Sequence, residues 1–178
     1  AGVGTSLPLV FVIFSAISAI GTGGAVLVAY SVGAKDLKTA AIAAKQAVLL
    51  GIMVSILLTS IGVPLARPIV GVLGPEERVL DIGSEYFAIT MAASIGLVLM
   101  FVVGGVIRGA GDTRTPMLAG LAANIINVVV AYLLIFGNAG FPEMGPAGSA
   151  WAGALARLAG AGGLLIVLWR GRNGVCIR

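Results

Sequence analysis

The feature that most constrains this chain is a set of five apolar stretches, each long enough to cross a lipid bilayer. A transmembrane helix needs about 20 mainly apolar residues. The sequence predicts such spans at about 7–32, 39–63, 84–107, 116–136 and 147–169. Charged residues make up 10% of the chain, whereas soluble domains carry about 25%. We therefore expect an all-α, polytopic membrane helical bundle. Residues 64–73 are too short and too rich in proline to cross, which predicts an interfacial segment.

Charged residues alternate between the loops and predict the orientation of the spans. The turns after the first and third spans and the tail after the fifth carry most of the basic residues, namely Lys35, Lys38, Arg108, Arg114, Arg170, Arg172 and Arg178. Acidic residues concentrate in the other loops, at Glu76, Glu77, Asp81, Glu85 and Glu143. Because basic loops stay in the cytoplasm, we expect Ala1 outside and a multi-pass protein of the plasma membrane, the inner membrane in a bacterium. The partner is then the lipid bilayer, and a net charge of +4 spread over short turns gives no reason to expect nucleic acid.

Two of the predicted cytoplasmic turns share the pattern Gly-Ala-x-Asp-x-basic-Thr, at residues 33–40 and 109–116. Glycine is typical of a helix C-terminus, and Thr115 is expected to cap the next helix, with Pro116 at its first position. Two interpretations stay open: two such turns converged on one composition, or they brace or gate the cytoplasmic face. The turn residues singled out are Gly33, Asp36, Arg108, Gly109, Asp112 and Arg114.

Polar side chains at membrane depth are costly, so each is a candidate for function. Asn124 and Asn127 lie three residues apart and share a helix face, which suits either a substrate or ion cavity or hydrogen bonds between helices. Arg157 lies near the middle of the fifth span, where it would face a cavity or a structural partner. Gln46, about one turn into the second span, is a further cavity candidate. The small residues Gly148, Ala152, Ala156 and Gly160 recur every four positions and predict close helix packing.

Several stretches, in order along the chain, resemble the multidrug and toxic compound extrusion (MATE) family of transporters. They are residues 21–36, 73–77 with Tyr86, 108–117, Asn127 with 132–137, and 140–150. The resemblance implies that the five spans are helices two to six of a six-helix N-terminal lobe. It also implies a secondary antiporter that exports cationic or amphipathic small molecules, such as organic cations, in exchange for protons or sodium, by alternating access between two lobes. Helix one and the C-terminal lobe are then missing partners, and residues 1–178 are expected to be a fragment.

The chain departs from the family where an acid would bind the coupling ion. Family members with an acidic site in this lobe carry the carboxylate four residues after the asparagine that Asn127 matches, and Ala131 stands there in this chain. An asparagine side chain binds cations or hydrogen-bonding ligands, but it does not carry a proton at physiological pH. Proton coupling through this lobe is therefore in doubt.

The composition of the chain also bears on other classes of function. The chain has no His, its single Cys176 lies in the tail, and its spans hold no acidic residue at mid-depth, so neither an enzyme nor a metal site nor a resident cofactor is expected. Two alternatives to the antiporter stay open. One is a non-transporting membrane remnant or lobe-sized helical subunit, and the other is a related flippase for lipids or their precursors.

Overall fold

A computed structural model describes residues 2–72, 77–137 and 144–171, and within these ranges the regular structure consists of helices alone. The predicted residues Glu76, Glu143, Arg172, Cys176 and Arg178 lie outside the described ranges. The described elements are α1 (Gly2–Gly33), α2 (Leu37–Gly62), α3 (Ala66–Gly71), α4 (Glu77–Ala92), α5 (Ser94–Gly109), α6 (Arg114–Phe136) and α7 (Gly145–Arg170).

Helices α2, α6 and α7, and the pair α4 and α5, match four of the five predicted spans, and the all-helical membrane fold is confirmed. Helices α2, α6 and α7 are each long and apolar enough to cross a membrane, and α4 with α5 forms a fourth candidate. The part of α1 from Ile17 to Gly33 is a shorter apolar helix. Large apolar side chains point away from the bundle, including Met53 on α2 and Val128 on α6, which are 67% and 68% exposed. A bilayer covers such surface, so the protein is a membrane protein.

The third predicted span contains a break that the sequence did not predict. The chain bends by 47° between α4 and α5, at Ala93. A hydroxyl group of α2 binds the backbone at this break. The Thr59 hydroxyl donates a hydrogen bond of 2.9 Å to the Met91 carbonyl and lies 3.2 Å from the hydroxyl of Ser94. Ser94 in turn donates to the carbonyl of Ser55. A neighbouring helix thus satisfies backbone groups that the break would leave unpaired in the membrane.

Replacing Thr59 by Val should destabilise the protein, because the shape stays almost the same while the Met91 carbonyl loses its donor. A buried acceptor left without a partner costs about 1–3 kcal/mol, so we expect a clear fall in the midpoint of thermal unfolding in detergent. Ser60→Ala on the exposed side of the same helix is the control and should leave the midpoint unchanged. Equal midpoints for Thr59→Val and the parent chain would contradict the role assigned to this hydroxyl.

Helix α3 confirms the predicted short segment between the second and third spans. It is six residues long, and its buried residues Ala66 and Val70 pack against Phe87 and Met91 of α4. At the surface, Arg67 and Asp81 form an ion pair of 3.0 Å. Both side chains are largely exposed, so the apolar cluster rather than this ion pair fixes α3 against α4.

The main core lies where α1, α2 and α7 surround α5. Glycines let α1 and α5 run side by side at very short range, since a methyl group on Gly105 would lie 2.6 Å from the carbonyl oxygen of Gly21. On α7 the predicted stripe of small residues is buried, as expected for close packing, at Gly148, Ala152, Ala156 and Gly160. Helix α7 packs closely against both α5 and α6, whereas α5 and α6 touch each other little. A gap therefore opens between α5 and α6, with α7 as its back wall.

Candidate functional site

The gap between α5, α6 and α7 is a cavity of about 320 Å³. It brings together three of the four residues predicted to line a substrate or ion cavity, Asn124, Asn127 and Arg157. The other lining residues are Leu97, Met100, Phe101, Arg108, Pro116, Gly120, Ala123, Gly153, Ala156 and Leu164. A half-open cavity with an apolar wall and a few convergent polar groups is the usual form of a small-molecule site.

The deepest polar groups of the cavity meet beside Gly153. Arg157 lies near the middle of α7 and Asn127 near the middle of α6, and both side chains are half-buried. A methyl group on Gly153 would lie 3.5 Å from a guanidinium nitrogen of Arg157 and 3.5 Å from the amide nitrogen of Asn127. The two groups therefore flank the same point, and the missing side chain of Gly153 leaves room for them.

Arg108 reaches the cavity from the end of α5. A methyl group on Gly104, one turn earlier, would lie 3.3 Å from a guanidinium nitrogen of Arg108, so the side chain folds back along its own helix. The sequence predicted Arg108 only as a residue of the turn. Reasoning from the sequence also missed Gly153, although its position one turn before Arg157 on α7 was a usable signal.

The charge of the cavity is positive. Two guanidinium groups line it, and among the residues that the structure describes its lining includes no carboxylate. The carboxylates of the described residues lie elsewhere, at Asp36, Glu77, Asp81, Glu85 and Asp112. Among the described residues, no acidic side chain forms an ion pair with Arg157. Ala131 follows Asn127 by one helical turn and adds no charge.

The structure does not bring Gln46 to this cavity. Helix α2 packs against α1, α4 and α5, so its residues do not reach the space beside α6. Gln46 instead lies in a separate, shallow pocket between α1 and α2, with Gly24 and Leu27 among its neighbours. The prediction that Gln46 belongs with the asparagine pair is therefore corrected.

The two similar turns predicted from sequence have the same hydrogen bonds. The Asp36 carboxylate accepts from the backbone N–H of Thr39 at 3.0 Å and from its hydroxyl at 2.5 Å. The Asp112 carboxylate accepts in the same way from Thr115, at 3.0 and 2.6 Å. Thr115 was predicted to cap α6. The structure corrects this, because α6 begins at Arg114 and Asp112 supplies the capping oxygen.

The two turns also have similar backbone conformations. The residue before each aspartate has a left-handed conformation, with φ of 60° at Lys35 and 90° at Gly111. The N–H of Asp36 donates to the carbonyl of Ser31, and the N–H of Asp112 donates to that of Ile107, five residues earlier in both cases. The shared sequence pattern therefore encodes one turn geometry, used twice.

Hydrogen bonding keeps the first of these carboxyl groups ionised. The hydroxyl and the backbone N–H of Thr39 hold the pKa of Asp36 below its ordinary value. A carboxyl whose folded-state pKa is lowered stabilises the fold above its unfolded pKa, and that contribution is lost as the pH falls through the folded pKa. At neutral pH the cap of α2 is therefore intact.

Comparison with known proteins identifies the family of this helical bundle. A family model described as MatE matches residues 1–133. A "Probable multidrug resistance protein NorM" from Thermotoga maritima is 35% identical over 170 residues, which cover 95% of this chain and 36% of that protein. The chain belongs to the MATE family. It spans about a third of the length of the curated relatives it matches.

Solved structures of transporters in two different conformations share the fold of this chain. One is titled "Inward-facing conformation of a multidrug resistance MATE family transporter of the MOP superfamily", with a TM-score of 0.91 at 23% identity over 99% of this chain and 40% of that one. An outward-facing structure with a corresponding title gives a TM-score of 0.90 at 23% identity over 100% of this chain and 39% of that one. The bundle described above therefore has the fold of part of these larger transporters.

Proposed function

We propose that this chain forms helices two to six of the N-terminal lobe of a secondary active antiporter that exports cationic or amphipathic small molecules across the plasma membrane. The observation that carries the proposal is the cavity between α5, α6 and α7, in a chain of the MATE family. Transport proceeds by rocking of this lobe against a second lobe around a site near the middle of the membrane. The missing partners, helix one and the C-terminal lobe, complete that site.

The likeness to both transporter conformations supports a lobe that moves as one body. The fold agrees about equally with the inward-facing and the outward-facing structure, with TM-scores of 0.91 and 0.90. Alternating access then changes the angle between lobes rather than the packing within this one, which is the usual mechanism in such transporters.

The coupling ion is a proton or sodium, and this cavity favours a route that does not protonate it. None of the described residues that line it is Asp, Glu or His. Asn124 and Asn127 offer amide oxygens, which suit sodium. In a proton-coupled protein the titrating group would therefore lie outside these lining residues, for example in helix one.

A chimera tests the proposal. The segment of the Thermotoga maritima relative that matches this chain is replaced by the chain, and export of fluorescent amphipathic dyes is followed in cells that lack their own exporters. We expect efflux driven by a proton or sodium gradient, and no coupled efflux from the 178-residue chain expressed alone. A chimera that inserts into the membrane but exports nothing would favour the non-transporting subunit, while movement of labelled lipid instead of dyes would favour the flippase.

Asn127→Ala in this chimera should weaken the dependence of efflux on the cation gradient, because one amide ligand at mid-depth is lost. The expected change is several-fold in the concentration of cation that gives half-maximal efflux, with similar protein levels. Val128→Ala, on the exposed face of the same helix, is the matched control. An unchanged cation dependence in Asn127→Ala would show that the asparagine serves only to join helices.

A further inference from the structure

We propose that two hydroxyl groups, those of Thr59 on α2 and Ser94 on α5, form a clamp that makes the two segments of the bent span move as one body when the lobe rocks. Helix α4 is one segment and α5 is the other, and the bend of 47° lies between them at Ala93. The inference rests on the proposed function, because a rocking lobe transmits movement only where it is internally rigid. It identifies the residues that keep this lobe rigid at its bend.

The two segments of the bent span pack into different apolar clusters. On the α4 segment, Phe87 and Met91 pack with Val70 of α3. On the α5 segment, Val98 belongs to the main core. The two segments touch each other little, and α4 otherwise packs against α1, α2 and α7. Apolar packing is not directional, so these contacts fix the angle at Ala93 less strictly than hydrogen bonds do.

The backbone itself gives little support at the bend. In a continuous helix, the carbonyl of Met91 would accept a hydrogen bond from the N–H of Ile95, four residues later. Here it accepts from the Thr59 hydroxyl at 2.9 Å. The N–H of Gly96 donates to the carbonyl of Ala93, only three residues earlier, at 3.1 Å, and such bonds have poorer geometry than those of an α-helix. A side chain of α2 therefore replaces a backbone link across the bend.

The clamp attaches both segments to α2. Thr59 donates to the α4 segment at Met91, and the Ser94 hydroxyl of the α5 segment donates to the carbonyl of Ser55 at 3.2 Å. The two hydroxyl oxygens lie 3.2 Å apart, so the contacts join into one network. Ser55 and Ser94 are each 1% exposed, and hydrogen bonds shielded from water are electrostatically stronger than exposed ones. Every contact of the clamp joins residues of α2, α4 and α5, so the clamp is complete without helix one or a second lobe.

The α5 side of the clamp is connected to the cavity. Gly96 lies two residues after Ser94, and a methyl group there would lie 3.0 Å from the backbone nitrogen of Leu158 and 3.2 Å from the carbonyl carbon of Arg157. The first turn of α5 therefore rests directly on the backbone of α7, at a residue that lines the cavity. A movement of α4 reaches that residue through the clamp and Gly96.

Removal of both hydroxyl groups tests the clamp in the chimera described above. The double variant Thr59→Val with Ser94→Ala should lower the maximal rate of dye efflux by about threefold or more, since the loss of a hydrogen bond between membrane helices reduces the clamped fraction of molecules by about that factor. The dye concentration for half-maximal efflux should stay the same, because neither residue lines the cavity. Rates are compared at equal amounts of protein in the membrane. An unchanged maximal rate, or a change in the half-maximal concentration alone, would overturn the inference.

Two single variants separate the hydroxyl group from the shape of the side chain. Thr59→Ser keeps the hydroxyl group and should keep the parent rate, and Ser60→Ala removes a hydroxyl from the exposed side of the same helix and should do so too. A fall in Thr59→Ser as large as in Thr59→Val would assign the effect to the lost methyl group and overturn the clamp.

Distances between spin labels test the clamp independently of transport. In a chimera without other cysteines, one label is placed on the α4 segment by Ile82→Cys and the other on α1 by Val26→Cys, at two exposed positions. The double variant should broaden the distribution of this distance, because the angle at the bend is no longer fixed. Labels at Val26 and at the exposed Met117 form the control pair. Both positions follow residues that lie beside the α5 segment, so their distribution should stay unchanged.

The distances and the efflux rates separate failure of the two proposals. An unchanged distribution in the double variant would overturn the clamp, whatever the chimera transports. A broader distribution in a chimera that transports nothing would contradict the exporter and leave the clamp standing. A broader distribution together with a lower maximal rate would support both.

Discussion

Gly109→Ala should destabilise the protein strongly, whereas Gly33→Ala should not. The two glycines occupy equivalent places, each the last residue of a helix before one of the two matching turns. A methyl group on Gly109 would overlap the carbonyl group of Ala25 on α1, and backbone cannot move aside as a flexible side chain can. A methyl group on Gly33 would meet nothing within 4 Å. The contrast follows from packing, since both glycines begin the same Gly-Ala-x-Asp-x-basic-Thr pattern.

The expected cost for Gly109→Ala is about 1–3 kcal/mol, the usual range for adding a methyl group to a tightly packed site. Gly33→Ala should change the free energy of unfolding by less than about 1 kcal/mol, and in the stabilising direction, because alanine favours helix over glycine. Thermal or denaturant unfolding of both variants in the same detergent measures the difference. Similar losses in the two variants would show that the turn itself, rather than the contact between α1 and α5, requires glycine.

This pair of residues also shows what the sequence reveals and what it hides. The repeated pattern was visible at 33–40 and 109–116, and the hydrogen bonds of Asp36 and Asp112 confirm a shared local geometry. Local geometry depends on neighbours along the chain, so sequence reasoning reaches it. The different surroundings of Gly33 and Gly109 depend on which helices lie beside them, and no local pattern records that.

The break at Ala93 was missed for the same reason. Kinks usually occur at proline or at pairs of glycine and serine residues. No proline lies near Ala93, and the nearby Ser94 and Gly96 were not used as a signal. The groups that pair with the backbone and with Ser94 at the break are the Thr59 hydroxyl and the Ser55 carbonyl of α2, which are more than thirty residues away along the chain. The long apolar spans were predictable because bilayer thickness sets their length, but the bend within one of them was not.

The candidate site was likewise predicted only in part. Polar residues at membrane depth are rare enough that Asn124, Asn127 and Arg157 could be singled out, and the structure places all three on one cavity. Gln46 met the same criterion and lies in another pocket. The criterion gives the depth of a residue in the membrane but not the neighbouring helix that its side chain faces. Arg108 met a different criterion, that of a turn, and its long side chain folds back to the cavity. Depth along a helix can be read from sequence, whereas the partner that a side chain faces cannot.

Gly148→Ala should destabilise the protein and also change the arrangement of the polar side chains in the cavity. Helix α6 is held to the rest of the bundle mainly through α7, and little of its span is buried. At the contact, a methyl group on Gly148 would lie 2.8 Å from the carbonyl oxygen of Leu134 and 2.9 Å from its carbonyl carbon. The two helices must separate to make room, and α6 has few other contacts to compensate. We expect a loss of about 1–3 kcal/mol.

The same separation should move Asn127 away from Arg157, because both lie on the α6–α7 contact further along these helices. In the chimera, Gly148→Ala should therefore weaken the dependence of efflux on the cation gradient, even though the substituted residue does not line the cavity. Gly163→Ala is the matched control on the same helix, since a methyl group there meets nothing within 4 Å. Unfolding and the cation dependence of efflux are measured on both variants. A destabilised Gly148→Ala with an unchanged cation dependence would show that the cavity does not depend on how closely α6 approaches α7.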